Sequence, residues 1–201
     1  MIDIMKKASM LIMILMLMIA TYSLTNVSVQ AAENIEVEAE SAIIVDAKTG
    51  KILFEKQSDL KLPPASMTKM MTEYLVLEAI KEGKINWDTT TQISDYAYWL
   101  SADPSFSGIG LIQDKNYTVR QLYEGMAIIS DNATTVALAE LVAGSEGEFV
   151  KMMNEKAVEM GLQEYKFVNS TGLSNLDLGE NYPEAQSQMQ IIYCQHDLLR
   201  C

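Results

Sequence analysis

The apolar positions of the chain change period along its length. Ala42 to Val45 and Lys51 to Phe54 are short, mostly apolar runs on either side of Asp46-Ala47-Lys48-Thr49-Gly50. Two such runs around a turn with glycine where positive φ is needed predict a β-hairpin. Leu62-Pro63-Pro64-Ala65 then imposes an extended approach, because a residue before proline avoids the helical region. From Ser66 the spacing becomes three and four. Met67, Met70, Met71, Tyr74, Leu75 and Ile80 predict a helix running to Gly83, a natural C′ residue. Val76, Leu77 and Ala79 widen its apolar surface, so this helix is expected to be buried on most sides.

Ile85 to Asn116 has weak periodicity and several Gly, Pro and Ser residues, and is expected to form loops with short elements. Thr118 and Gln121 form a capping-box pattern that opens a helix through Leu122, Met126 and Ile129. Ser130-Asp131-Asn132 interrupts it. A second apolar helix follows from Ala133 to Ala143, stopped by Gly144. Ser145 and Glu148 repeat the capping pattern, and Phe149, Met152, Met153, Ala157 and Met160 mark the next helix, with Gly161 after it. One hairpin followed mostly by helix predicts an α+β layout whose sheet is incomplete in this chain.

Composition narrows the function classes. The 201 residues are 49% hydrophobic and 21% charged, enough to bury a core, and the net charge is −12. Phosphate recognition needs clustered Lys and Arg, so nucleic acid is a poor partner. The same acidity argues against adsorption of the folded part to anionic lipid. Lys6 and Lys7, the apolar run from Ala8 to Ala20, and a more polar stretch ending in Val29-Gln30-Ala31-Ala32 have the layout of a secretory signal peptide. Cleavage after Ala31 is expected, making residues 1–31 a leader and the protein exported. The alternative is an uncleaved anchor. Its apolar stretch is short against the roughly 20 residues a spanning helix needs. Cys194 and Cys201 both stand in the last eight residues, so the body must be held by its core rather than by disulfides. With His196 the only histidine, no usual zinc ligand pattern is present.

Two polar clusters could carry chemistry. In Ser66-Met67-Thr68-Lys69 the hydroxyl and the amine sit one turn apart at a helix start, where they can meet. A desolvated lysine can be neutral near physiological pH and act as a base for the serine. The helix N-terminus favours negative charge on an attacked carbonyl oxygen. The bland reading of this cluster is an N-cap serine and a surface lysine. Ser130-Asp131-Asn132 lies between two helices, where a turn can project into a cleft. Its serine can relay a proton and its asparagine amide can hold a substrate carbonyl and orient the lysine. Helix capping is the bland reading here.

Ser-x-x-Lys followed by Ser-Asp-Asn is the pattern of penicillin-binding proteins and class A β-lactamases. Longer segments resemble the low-molecular-weight D-Ala-D-Ala carboxypeptidases, peptidase family S11. They are Leu62 to Thr72 (LPPASMTKMMT), Tyr117-Thr118-Val119 with Leu122-Tyr123, Ser130 to Gly144 (SDNATTVALAELVAG), Phe167 to Leu173 (FVNSTGL), and Tyr182-Pro183. The resemblance covers roughly Ala42 to Met189. It implies a penicillin-binding transpeptidase/β-lactamase-like α+β fold, a helical region plus an antiparallel sheet with the C-terminal strands missing. It implies Ser66 as the acyl-ester nucleophile, Lys69 as proton acceptor, Ser130 completing the catalytic set and Asn132 binding substrate. The implied substrate is a peptidoglycan pentapeptide ending in D-Ala-D-Ala, with β-lactam antibiotics as inhibitors and no metal or organic cofactor. Membrane contact is expected only through an uncleaved signal or the family's C-terminal anchor, which is expected to be missing here.

Two alternatives stay open. A β-lactamase would need Glu-x-x-Leu-Asn, and the nearest candidate, Glu164 to Asn169, has the wrong spacing and no leucine. A catalytically dead fragment that only binds cell-wall peptide would keep the fold without turnover. The family's Lys-Thr-Gly strand is not found after the nucleophile. Lys48-Thr49-Gly50 spells it, but ahead of Ser66 and in the hairpin turn. Residues 32–189 are thus expected to be a partial catalytic domain. Residues 190–201 are expected to be a non-family tail from a frameshift or a premature end, leaving the chain poorly soluble or partly unfolded, with little or no peptidase activity.

Overall fold

The computed structural model describes residues 36–162 and 165–178, with Met10 and Met13 alone before them. The expected leader (those two residues apart) and the expected tail lie outside the described residues. The chain divides into two units, Met1–Glu38 and Ala39–Cys201, and every described strand belongs to the second.

Strands β1 (Ala42–Val45) and β2 (Ile52–Lys56) pair antiparallel, Ala42 opposite Lys56 and Ile44 opposite Phe54. The second strand lies further along than expected because Asp46 organises a wide turn. Its Oδ1 accepts from the amides of Lys48 and Thr49 at 3.1 and 2.8 Å and from the Thr49 hydroxyl at 2.7 Å. Lys48-Thr49-Gly50 is therefore turn, with Gly50 at φ +68°.

A 3₁₀ turn (Ala65–Thr68) leads into helix α1 (Lys69–Lys81), which Gly83 ends at φ +74°. The expectation that α1 is buried on most sides is corrected. Met71, Thr72, Leu75, Val76 and Ala79 are buried, whereas Met67, Met70, Tyr74 and Leu77 form an exposed stripe on another face. The reason is that the helices α1 meets, described next, all approach its buried side.

Between residues 85 and 116, where only loops and short pieces were expected, strand β3 (Thr90–Thr91) pairs with β4 (Tyr117–Thr118), and helix α2 spans Asp95–Ala102. Ser94 caps α2 by accepting from the Ala97 amide at 3.1 Å, and Ala97 and Leu100 are buried. Two buried positions in so short a helix give little periodicity to read. Helix α3 (Val119–Ile129) opens on the Thr118–Gln121 capping box, with both reciprocal bonds formed. Helices α4 (Asn132–Ala143) and α5 (Glu146–Glu159) and a short α6 (Asn175–Leu178) follow.

Helix α4 is the centre. Thr134, Thr135, Val136, Leu138 and Ala139 have essentially no exposed surface. Val136 and Leu138 join Val76, Leu100, Leu122 and Met126 in one cluster. Ala139 joins Met71, Leu75, Phe149, Met153 and Phe167 in another. Helices α1, α2, α3 and α5 all pack on α4, so the residues at its first turn are set by the whole core. This layer, with its small antiparallel sheets, is the α+β arrangement expected. Among the described residues no helix is long and apolar enough to cross a membrane.

Helices α3 and α4 meet through a glycine. A β-carbon on Gly125 would stand 2.9 Å from Thr134 Cγ2. Thr134 cannot easily yield, because it is fully buried and its hydroxyl donates to the Asp131 carbonyl at 3.1 Å. Alanine at a helical glycine normally stabilises by about 1 kcal/mol. Here overpacking is expected to prevail, and Gly125→Ala should lower stability by about 1–2 kcal/mol in urea unfolding. A gain in stability would mean that the two helices can part at no cost.

Candidate active site

The turn that presents Ser66 is under backbone constraint. Ala65 sits at φ +48°, where alanine is uncommon, and Ser66 follows with its side chain exposed. The strain is maintained from the other side by Gly172, at φ +83°. A β-carbon there would lie 1.8 Å from the Ala65 carbonyl oxygen and 2.8 Å from Thr68 Oγ1. Only glycine lets the Asn169–Leu173 loop lie against the Ser66 turn so closely.

Lys69, the first residue of α1, is only 6% exposed. Its Nζ lies 2.8 Å from Asn132 Oδ1, 3.2 Å from the Thr171 carbonyl oxygen and 3.2 Å from Ser66 Oγ. Burial lowers its pKa to about 8, with the Asp131 carboxylate working in the opposite direction. At pH 7 about one molecule in ten then carries a neutral amine. A neutral amine has two N–H donors and one lone pair. Asn132 Oδ1 and the Thr171 carbonyl can only accept, so they take the two hydrogens. The lone pair is left facing Ser66, the one partner that can donate. The arrangement can thus draw a proton from the serine.

The Ser130-Asp131-Asn132 turn supplies the second wall. Asp131, fully buried, caps α4 by accepting from the Ala133 and Thr134 amides at 2.8 and 3.1 Å. Its other oxygen accepts from the Ile109 amide at 2.8 Å, tying the loop after α2 to the turn. Ser130 ends α3 in the left-handed region at φ +59°. Two of the four non-glycine residues with positive φ among those described, Ala65 and Ser130, therefore border this site. Ser66, Lys69 and Asn132 are joined by direct hydrogen bonds. Ser130 stands beside them in the turn, and among the described residues no hydrogen bond links its hydroxyl to Ser66 or Lys69.

The third wall is the Asn169–Leu173 loop, which sequence reasoning marked as part of a segment resembling the family, Phe167 to Leu173, but did not place in the site. Asn169 Oδ1 accepts from the amides of Thr171 and Gly172 at 3.2 and 2.7 Å, and its Nδ2 donates to the Leu173 carbonyl at 2.8 Å. Thr72 of α1 donates to the Ser170 carbonyl at 2.7 Å. Glu146, at the start of α5, accepts from the Ser170 amide at 2.9 Å and its hydroxyl at 2.6 Å. The contribution to Lys69 is a backbone carbonyl, which no side-chain pattern announces. The available signal was Asn-Ser-Thr-Gly, a loop sequence of residues that bond their own backbone.

The sequence model of a peptidase family described as D-alanyl-D-alanine carboxypeptidase, S11, matches residues 26–193. The chain belongs to this family. It is 45% identical over 126 residues to the D-alanyl-D-alanine carboxypeptidase DacF of Bacillus subtilis (strain 168), covering 63% of this chain and 31% of that relative. It is similar in structure to a peptidoglycan synthesis regulatory factor (PBP3) from Streptococcus pneumoniae, with a TM-score of 0.73 and 42% identity, covering 82% of this chain and 46% of the other. It is also similar to penicillin-binding protein D2 from Listeria monocytogenes in its cefotaxime-bound form, with a TM-score of 0.66 and 26% identity over 83% of this chain and 61% of that one. The chain spans about a third of the length of the curated relatives it matches. The α+β, penicillin-binding fold is thereby shown for this S11 chain.

The lowered pKa of Lys69 has a consequence for stability. The amine titrates at about 8 when folded and near the ordinary 10.5 when unfolded. Between those values the unfolded chain binds the extra proton, so stability rises with pH across that window. Below it, the lowered pKa corresponds to a cost of about 3 kcal/mol. Lys69→Met is expected to flatten this rise, measured as urea-unfolding free energy from pH 7.5 to 10.5. Equal slopes in the two proteins would show that Lys69 titrates as an ordinary surface lysine.

Proposed function

We propose that this chain carries the nucleophile region of an exported serine-type D-alanyl-D-alanine carboxypeptidase. The reading rests above all on one observation, the buried Lys69 amine that stands 3.2 Å from Ser66 Oγ with Asn132 Oδ1 and the Thr171 carbonyl as its other partners. Family membership supports the substrate, a peptidoglycan stem peptide ending in D-Ala-D-Ala, and the cell-wall side of the membrane as the place of action.

Lys69 takes the Ser66 proton as Oγ attacks the carbonyl carbon between the two D-alanines. Asn132 holds the substrate and fixes one hydrogen of the lysine. Ser130 passes the proton to the departing amine, the peptide C–N bond breaks, and terminal D-Ala leaves. Water then hydrolyses the acyl-serine ester. A β-lactam presents a strained amide to the same hydroxyl. Its ring opens but its amine stays tethered, so the serine remains acylated. The cefotaxime-bound form of the Listeria relative supports this part of the reading.

Incubation of the chain with fluorescent penicillin, followed by peptide mass mapping, tests the assignment. Slow labelling suffices, because the adduct is covalent and accumulates. The adduct is expected on Ser66 and absent from Ser66→Ala. Lys69→Ala should acylate at least about a hundredfold more slowly, since removal of a general base typically costs that much. Undiminished labelling of Ser66→Ala, or no labelling of the unsubstituted chain, would overturn the reading in favour of a peptide-binding role.

Ser130 offers a second, independent check. Ser130→Gly removes the hydroxyl and also relieves a left-handed residue of its β-carbon. Thermal stability is expected to hold or rise while acylation slows sharply. Parallel loss of both would make Ser130 a structural residue.

A further inference from the structure

We propose that Glu146 is a positioning residue for the Lys69 amine, acting through Ser170 and the Thr171 carbonyl. Glu146 opens α5, where the helix N-terminus favours its carboxylate, and Ser145 caps that turn by accepting from the Glu148 amide at 3.2 Å. It is buried, and one oxygen, Oε1, takes both the amide and the hydroxyl of Ser170. Held at both groups, Ser170 cannot rotate. Its own carbonyl then meets the Thr72 hydroxyl at 2.7 Å, and the next carbonyl, that of Thr171, meets Lys69 Nζ at 3.2 Å. Asn169 closes the loop locally, but its bonds lie within the loop and do not fix where the loop sits on the helices. Asn154 of α5 holds the segment upstream, at the Phe167 carbonyl and amide at 2.9 and 3.1 Å, and next to Thr171 the Glu146 and Thr72 bonds to Ser170 set where the loop sits.

The consequence concerns the direction of the lysine lone pair. With Thr171 withdrawn, a neutral Lys69 amine has one accept-only partner, Asn132, and turns freely about it. Water also reaches the amine. The charged group facing Lys69 across the site, Asp131, is held by α4 and Ile109 and stays in place.

The inference rests on Lys69 as the base in the proposed function, and its test reads the amine directly. In the chain labelled with carbon-13 lysine, the Lys69 Cε resonance is identified by its loss in Lys69→Arg and followed against pH. The unsubstituted chain should titrate near about 8. Glu146→Leu is expected to move the midpoint up towards the ordinary lysine value. Glu146→Gln keeps a carbonyl oxygen for both Ser170 donors and is expected to restore it. An unmoved midpoint in Glu146→Leu, even with a lowered Tm, would reduce Glu146 to a structural role and overturn the proposal. So would a midpoint in Glu146→Gln displaced as far as in Glu146→Leu. If Glu146→Leu does not fold, Ser170→Ala is read in the same way, and there too an unmoved midpoint would overturn it. Because no substrate is present, failure of penicillin labelling at Ser66 would overturn the functional reading alone.

Discussion

An amine held out of water by three oxygen atoms is the interaction around which this structure is arranged. Burial of Lys69 is unfavourable by itself, because an ammonium loses its hydration. Two of its acceptors, Asn132 Oδ1 and the Thr171 carbonyl, come from segments distant in sequence, and the third, Ser66, stands one turn before it. The same set serves both protonation states. An ammonium donates to all three oxygens, and a neutral amine donates to two and offers its lone pair to the hydroxyl. A proton can therefore arrive and leave without rearrangement of the site.

That arrangement is maintained against local backbone preference. Ala65 and Ser130 occupy the left-handed region, and Gly172 lies so near the Ala65 carbonyl that no side chain fits. Strain of this kind persists only where surrounding packing over-determines it. Here the packing comes from α4, whose first residue is Asn132 and whose first eight residues are buried where α1, α2, α3 and α5 pack on it. The central helix thus converts the burial of Val136, Leu138 and Ala139 into a fixed position for one amide oxygen beside Lys69.

The opposite side of α1 is less complete. Met67 and Met70, each 57% exposed, adjoin Ser66 and Lys69 in sequence, Tyr74 and Leu77 continue the exposed stripe along the helix, and the hairpin shows Ile44 and Leu53 to solvent. The chain aligns with about a third of its curated relatives. Its helical layer nevertheless brings Ser66, Lys69 and Asn132 together with the neighbouring loop. Whatever role these residues have, the geometry that joins them is a property of this layer.

Much of this was written in the sequence. The short apolar runs on either side of Asp46 to Gly50 gave the hairpin, and the capping pairs at Thr118 and Ser145 gave helix starts, because turns and caps are local effects. Ser-x-x-Lys and Ser-Asp-Asn singled out Ser66, Lys69, Ser130 and Asn132, and the resemblance to the S11 family assigned their roles. Helix α2 escaped notice because eight residues with two buried positions carry little period. The stripe on α1 was misjudged because a count of apolar residues says how much surface wants burial, not which neighbour arrives. The Thr171 carbonyl and the Glu146 grip on Ser170 were beyond reach for a deeper reason. A backbone oxygen has no residue type, and a contact across 24 or 102 positions exists only once the chain has folded. The sequence by itself determined which side chains could react, since that is covalent chemistry. Tertiary structure alone decided which way the lysine's lone pair faces, since that depends on oxygens delivered by distant segments.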